Sequence, residues 1–126
     1  MLMPHQVGQL NELVVATELT RCGCEVFMPI GSQTKADMVA TYGPHIFKVQ
    51  VKTATKQVIK GTIFNQCRLD NSAGAKYKEG DFAVLIVVTK DGRSLAYTWE
   101  QVEAKSSLCV GKRNPGMSIT EYIQTL

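Results

Sequence analysis

The sequence predicts a mixed α/β fold, a β-sheet flanked by helices, and three observations support this class. Residues 6–22 have the periodicity of an amphipathic helix, several short segments between residues 25 and 100 have strand character, and residues 82–89 form a continuous apolar run. The chain has 126 residues and 44% hydrophobic content, enough for one compact core but too short for two ordinary domains. We therefore expect residues 1–126 to form a single domain.

The first helix is predicted over residues 6–22, with Gly23 as the residue that ends it. On a helical wheel, Glu12 lies in a stripe of small and apolar residues formed by Gly8, Val15, Ala16 and Leu19. If this stripe packs on the sheet, the Glu12 carboxylate is partly desolvated and needs a cation or hydrogen-bond donors. Positions 7, 10, 13 and 14 form a second apolar face. The pattern therefore leaves open which face packs inward and whether Glu12 is an ordinary exposed residue.

Three strands are predicted next, over residues 25–30, 36–42 and 45–53, with a loop over residues 31–35. The segment YGPH between the second and third strands is a compact turn. If this hairpin is symmetric about Gly43 and Pro44, the numbers of paired residues sum to 87. Asp37 then lies directly across from Gln50, and cross-strand partners share a face of the sheet.

The remaining chain supplies further strands and a last helix. A polar connection leads to a strand-like segment at 61–69 and a loop at 70–81, and the apolar run 82–89 predicts a strand covered on both faces. The turn KDGR leads into a strand at 94–100, and residues 99–105 suggest a short helical turn. Ser118 and Glu121 form a capping box before a final helix at 119–126.

One face of the third predicted strand is polar. Because strand side chains alternate, Lys48, Gln50 and Lys52 form a row with neighbours about 7 Å apart. The predicted register adds Asp37 to this face, and a slip of one residue would remove it. A solvated strand face is the ordinary interpretation of such a row. The carboxylates before it in the chain, Glu12 and Asp37, favour the wall of a ligand site instead.

Composition excludes several other kinds of site. The cysteines at positions 22, 24, 67 and 109 have the spacing of neither a zinc module nor a disulfide framework. His5 and His45 have no serine or cysteine elbow near them, so a hydrolytic triad has no support. No apolar run approaches the roughly 20 residues of a membrane span, and the first residues do not resemble a signal peptide. We expect a cytoplasmic protein that does not contact membranes.

The positive charge is concentrated in one part of the chain. Residues 38–69 contain five of the fourteen lysines and arginines and none of the eleven acidic residues. The rest of the chain sums to nine minus eleven, or −2. A local basic patch suits a polyphosphate partner, although a solvated basic face is equally common.

The segments NELVVATEL, ADMVA and VQVK together resemble the PD-(D/E)xK nuclease superfamily, whose core is a restriction-endonuclease-like mixed β-sheet flanked by helices. The nearest resemblance is to the archaeal Holliday junction resolvases and to the group I intron homing endonucleases with Gln in place of the second acid. KYKEGDFAVLIVV and SLAYTW resemble later core strands of these enzymes. Two residues depart from the family pattern, since Ala36 replaces the usual Pro and Gln50 replaces an acid. An amide oxygen still coordinates a hard cation, but it brings no charge.

This resemblance implies a metal-dependent DNA endonuclease that hydrolyses phosphodiester bonds, of the homing or the junction-resolving type. The catalytic residues it implies are Glu12, Asp37, Gln50 and Lys52. The metal ligands would be Asp37, the backbone carbonyl of Val51 and Glu12, and the cofactor Mg²⁺, with Mn²⁺ as a substitute. Mg²⁺ tolerates a site with only two carboxylates because it usually keeps several waters. Lys52 would orient the nucleophile, and Glu12 would hold a water or bridge to Lys52.

The implied partner is double-stranded or branched DNA, bound by a homodimer, because one small domain with one site must pair to cut two strands. Lys48, Lys56, Lys60 and Arg68 are candidates for phosphate contacts. Ser32, Gln33 and Lys35 lie just before Asp37, within reach of the DNA backbone. Asn65, Gln66 and Arg68 are side-chain types that read base edges in a major groove.

Two alternatives remain open at this point. The chain could be a catalytically inactive nuclease-fold module that binds nucleic acid, with Gln50 marking decay of the site. It could also be an unrelated α/β domain whose polar strand face is merely solvated.

Overall fold

The computed structural model describes residues 1–31, 35–70 and 76–126. The helices are α1 (Pro4–Arg21), α2 (Trp99–Val102) and α3 (Ile119–Gln124). The strands are β1 (Glu25–Phe27), β2 (Met38–Tyr42), β3 (His45–Thr53), β4 (Thr55–Ile59), β5 (Thr62–Arg68), β6 (Val84–Val88), β7 (Ser94–Thr98) and β8 (Ser107–Val110). These elements form the predicted mixed α/β architecture.

The main sheet has five strands in the order β1-β2-β3-β6-β7. β3 and β6 pair in parallel, and the other neighbours pair antiparallel. All five residues of β6 are buried, which confirms the prediction that the central apolar run is covered on both faces. The β2–β3 pairs sum to 87, as in Met38 with Val49, so the predicted hairpin register is confirmed.

Helix α1 packs against this sheet through the stripe that contains Glu12. Val15 and Leu19 are fully buried, whereas Leu13 on the second apolar face is 54% exposed. The question that the sequence left open is thereby answered, and the Glu12 side of the helix faces inward. Gly23 has φ +95 and follows the last turn, so it ends the helix as predicted.

Each face of the main sheet carries its own apolar core. Side chains of α1 and α3, such as Leu19 and Ile123, cover the face that presents Val49 and Val51. On the other face, Leu85 and Val87 pack with residues of the small sheet and of α2. The β3–β6 register places Gln50 beside Leu85 and Lys52 beside Val87, on this second face. The polar row thus lies on the same side as the small sheet.

The small sheet has three strands in the order β4-β5-β8, and two of its strands were not predicted. The predicted polar connection contains β4, whose five residues are all exposed and therefore lack an apolar pattern. β8 has only four residues. The first strand shows the reverse error, because β1 ends at Phe27 and the predicted strand 25–30 is too long. The capping box of α3 is confirmed, because Ser118 Oγ accepts from Glu121 N at 3.0 Å and Glu121 Oε1 accepts from Ser118 N at 3.0 Å.

Among the described residues, none of the helices has the length and apolar character needed to cross a membrane.

Candidate active site

Asp37 lies directly before β2 and is held rigidly against β3. Its backbone N–H donates to the Val49 carbonyl at 2.9 Å. Its carboxylate Oδ2 accepts from the Val51 N–H at 2.7 Å and from Gln50 Nε2 at 2.9 Å. The predicted pairing of Asp37 with Gln50 is therefore present as a direct hydrogen bond. Two donors on one oxygen orient the carboxylate and leave it available to a further ligand on its other oxygen.

Gln50 is only 6% exposed, and its amide is incompletely satisfied. Nε2 donates to Asp37 and makes a longer contact of 3.4 Å with the Val51 carbonyl. Within the described chain, the buried Oε1 atom has no hydrogen-bond partner. A buried acceptor without a donor costs about 1–3 kcal/mol, so this oxygen suits a bound water or cation. Oxygen acceptors beside a carboxylate are what Mg²⁺ prefers.

Glu12 reaches this site from α1. Asn11 Nδ2 donates to Thr53 Oγ1 at 2.8 Å, which holds this part of the helix over the end of β3. Burial raises the pKa of Glu12 to about 7, with smaller contributions from the charge of Asp37 and from a hydrogen bond to its side chain. Burial also raises the pKa of Asp37, opposed by the Val51 N–H, Lys52 and Glu12. The proximity of the two carboxyls thus makes a negative charge on both of them unfavourable.

Lys52 completes the group, held by contacts that the sequence did not reveal. Its Nζ donates to the Asp70 carbonyl at 3.2 Å and lies 5.3 Å from the centroid of the Tyr77 ring. Its charge acts on Asp37, lowering the pKa of that carboxyl. The sequence suggested a bridge between Glu12 and Lys52 as one option. In the described residues no ion pair joins these two side chains. Glu12 instead interacts with Asp37. No local sequence signal connects Lys52 with Asp70 or Tyr77.

The residues present fit Mg²⁺ rather than a metal that needs many protein ligands. In the described ranges, no cluster of three or more His, Cys, Asp or Glu residues could hold a metal ion. The site instead offers the carboxylates of Glu12 and Asp37, the orphaned Oε1 of Gln50 and the Val51 carbonyl. Mg²⁺ is commonly bound by one or two carboxylates together with waters. A bound cation would also favour the charged forms of both carboxyls.

The predicted phosphate contacts are scattered. Ser32 and Gln33 lie outside the described residues, while Lys35 is exposed two positions before Asp37. Lys48 Nζ donates to the Gly80 carbonyl at 3.1 Å. It lines an open groove of about 410 Å³ whose other lining residues include Glu79 and Glu100. Two acidic side chains adjoin this groove, and the role of Lys48 as a phosphate contact stays a prediction.

The residues predicted to read bases do not share one surface. Asn65 pairs with Lys56 across the small sheet, whereas Gln66 and Arg68 point to the opposite face because strand side chains alternate. Arg68 also forms an ion pair with Asp70, with 2.5 Å between the charged atoms. The segment NQCR therefore cannot present all three side chains to a single groove.

The mixed sheet thus carries Asp37 before β2 and Gln50 and Lys52 on β3, and Glu12 lies on the helix that packs against it. This is the arrangement that the family resemblance implies. Residues 2–114 match the PD-(D/E)XK endonuclease family, and the chain belongs to that family. The predicted family is thus confirmed, as is the restriction-endonuclease-like fold class.

Individual relatives agree with this assignment. The chain is 40% identical over 115 residues to Protein 5.3 of Escherichia phage T7, across 91% of this chain and 97% of that protein. The bacterial homing endonuclease I-Ssp6803I superposes with a TM-score of 0.70 at 16% identity, covering 86% of this chain and 78% of that chain. Hjc, a Holliday junction resolvase from Archaeoglobus fulgidus, gives a TM-score of 0.63 at 15% identity, covering 90% of this chain and 96% of that chain. Both structures show likeness of fold.

Glu12→Gln is expected to stabilise the metal-free protein at pH 8 and to leave it nearly unchanged at pH 5. The folded pKa of about 7 lies above the ordinary value of 4.5, so the proton's contribution to stability is lost as the pH rises towards and through 7. A neutral amide avoids that loss. Allowing for solvent screening of this half-buried group, we expect a gain of about 1 kcal/mol at pH 8.

The measurement is thermal unfolding in chelator at both pH values, with Glu25→Gln on the exposed edge of β1 as the matched control. Equal stabilisation at pH 5 and pH 8 would contradict the prediction, because the effect would then be independent of the Glu12 charge.

Proposed function

We propose that this protein is a metal-dependent DNA endonuclease that hydrolyses phosphodiester bonds, with Glu12, Asp37, Gln50 and Lys52 as its catalytic residues. The observation that carries the proposal is the Asp37 carboxylate, which accepts from the Val51 N–H at 2.7 Å and from Gln50 Nε2 at 2.9 Å. The Glu12 carboxyl and the charge of Lys52 both act on the same carboxylate. Membership of an endonuclease family supports the same activity.

Magnesium, or manganese in its place, would supply the charge that polarises the phosphoryl group and makes water more acidic. Asp37, Glu12, Gln50 Oε1 and the Val51 carbonyl are the groups that would hold it. Asp37 is oriented for this by its two donors before any ligand arrives, so little reorganisation is needed on binding.

Lys52 acts on the reacting phosphate. Its ammonium orients the attacking water and stabilises the additional negative charge that the phosphate acquires in the transition state. The Asp70 carbonyl and the Tyr77 ring both contact the ammonium and restrict its position. The lysine is thus held in place before substrate binds.

We propose double-stranded or branched DNA as the substrate and a homodimer as the active form, since each chain supplies one site and two strands must be cut. The two proteins of similar fold are a homing endonuclease and a junction resolvase, so both substrate types need testing. The second candidate function is DNA binding without cleavage, which the replacement of an acid by Gln50 favours.

The decisive experiment incubates the protein with supercoiled plasmid and with a synthetic four-way junction, in Mg²⁺, in Mn²⁺ and in chelator. We expect cutting only with metal, and at least about a hundredfold slower cutting by Asp37→Asn, because that variant loses the principal charged ligand. Asp91→Asn, in the β6–β7 turn, where the carboxylate pairs with Arg93, is the matched control and should cut normally. Binding of DNA without cutting in any metal would instead favour the non-catalytic function.

A further inference from the structure

The hairpin of β4 and β5 projects from the site strand of the enzyme. β3 ends at Thr53 and β4 begins at Thr55, so the chain passes from the main sheet to the small sheet across Ala54 alone. The two strands are joined by the turn of Lys60 and Gly61, both with positive φ, as a two-residue hairpin requires. Every residue of β4 is exposed. Most of this ribbon therefore has no cover from the described part of the chain.

The two faces of the hairpin differ in what they adjoin. Lys56 pairs with Asn65 and Val58 pairs with Ile63, and cross-strand partners share a face. Because side chains alternate, this face, the site-side face, also carries Cys67, which is buried in the core beneath the small sheet. The opposite face carries Thr55, Gln57, Ile59, Thr62, Phe64 and Gln66.

The site-side face leads directly away from Lys52. Cys67 is close enough to Lys52 for the lysine charge to act on its thiol, opposing the burial that raises the pKa of Cys67 to about 11. Asn65 lies one same-face step from Cys67, about 7 Å along the strand, and Ile63 lies one step further. Lys52, the Lys56–Asn65 pair and the Val58–Ile63 pair are thus successive positions along one surface.

The chemistry of this surface suits a polyanion with apolar parts. It belongs to the segment 38–69, which contains five cations and no acidic residue. Lys56 and Asn65 are side chains that bind phosphate oxygens. Val58 is 70% exposed and Ile63 is 64% exposed, so this pair leaves apolar surface in contact with water that a partner could cover. The major groove of B-DNA admits a two-stranded β-ribbon, where apolar side chains can contact thymine methyl groups.

We propose that the site-side face of the β4–β5 hairpin is the DNA-docking surface of this protein, where the duplex arm next to the scissile phosphate binds. Lys56 and Asn65 hold the backbone beside that phosphate, and Val58 and Ile63 enter the adjoining groove. The opposite face of the same hairpin does not contact the DNA. That this duplex arm is the one that is cut rests on the proposed nuclease function. The binding of DNA to this face does not depend on that function.

The test compares Lys56→Gln with Gln57→Glu. These neighbouring substitutions each change the net charge by −1 but lie on opposite faces of β4. Affinity for a fluorescein-labelled duplex and a four-way junction is measured by anisotropy at several salt concentrations, in chelator, so that binding is separated from cutting. We expect Lys56→Gln to weaken binding at least about fivefold and to reduce the salt slope by about 0.9, the value for one lost phosphate contact. Gln57→Glu should change the affinity less than about twofold and leave the slope unaltered.

Equal losses for the two variants would overturn the proposal, because only the overall charge would then matter. Normal binding by Lys56→Gln would overturn it as well. Val58→Thr tests whether a second copy of this chain binds the same face instead. If sedimentation shows that this substitution dissociates a dimer without weakening DNA binding, the face is a protein–protein contact and the proposal fails. Failure of the nuclease function gives a different result, namely the face-specific loss of binding with no cutting in any metal.

Discussion

Replacing Lys52 with alanine is expected to slow metal-dependent plasmid nicking at least about a hundredfold, with folding retained. In the proposed mechanism the ammonium acts on the transition state, where it stabilises the charge that develops on the phosphate. Removing it should therefore lower the rate at saturating DNA more than it lowers affinity. The lysine contacts the Asp70 carbonyl and the Tyr77 ring. Asp70 also forms an ion pair with Arg68, and the Tyr77 ring also packs against Phe82, so both residues keep a partner when Lys52 is removed.

The matched control is Lys48→Ala, which removes the same charge from the same face of β3, two residues before Gln50. Lys48 contacts the Gly80 carbonyl and adjoins two glutamates, so its loss should change the nicking rate less than about threefold. Single-turnover rates at saturating DNA, together with thermal unfolding of both variants, make the comparison. If Lys52→Ala cuts as fast as the unaltered protein, Lys52 has no part in the mechanism.

Local rules were sufficient to predict the hairpin that carries the site. A two-residue turn fixes the register, and alternation then decides which side chains share a face, so the pairing of Asp37 with Gln50 follows from the sequence. Helix periodicity placed Glu12 in the correct stripe, but it could not choose between two apolar faces. That choice depends on the sheet on which α1 packs.

The rest of the site depends on contacts between distant parts of the chain. Asp70 and Tyr77 hold Lys52 through a backbone oxygen and a ring face, which no residue spacing in the sequence specifies. β4 was not predicted, because all of its side chains are exposed and its sequence therefore lacks the alternation of apolar and polar residues that marks a half-buried strand. Asn65, Gln66 and Arg68 were grouped by chemical type, although adjacent strand positions point to opposite faces.

Gln50 gives the second large effect, because it occupies the position at which the resemblance implies an acid. Gln50→Glu is expected to destabilise the metal-free protein at pH 8 and to make its stability depend on divalent cations. The side chain is 6% exposed, and its Nε2 donates to Asp37 Oδ2 and to the Val51 carbonyl. A carboxylate at position 50 would place an oxygen acceptor where Nε2 now donates to Asp37 Oδ2 and to the Val51 carbonyl. It would also add a third acidic group beside Asp37 and Glu12.

The pKa of such a carboxyl is raised, and the free-energy cost of ionising it in the folded protein is incurred above neutrality. A shift of 2–3 units corresponds to about 2–4 kcal/mol at pH 8, or roughly 8–16 °C in Tm for a chain of this size. At pH 5 the protonated acid can donate as the amide does, so the loss should be much smaller. Gln57→Glu, exposed on β4, makes the same change in composition and should show neither effect.

Magnesium then distinguishes a metal site from a merely crowded one. If Oε1 of residue 50 faces the cation, adding a charge there tightens binding, and millimolar Mg²⁺ should raise the Tm of Gln50→Glu more than that of the unaltered protein. Thermal unfolding at pH 5 and pH 8, with Mg²⁺ and with chelator, measures both quantities. Equal stability of the two proteins in chelator at pH 8 would mean that the residue 50 side chain is not packed against Asp37. An equal gain from Mg²⁺ would mean that this side chain is not a ligand, which would leave two carboxylates and the Val51 carbonyl to hold the cation.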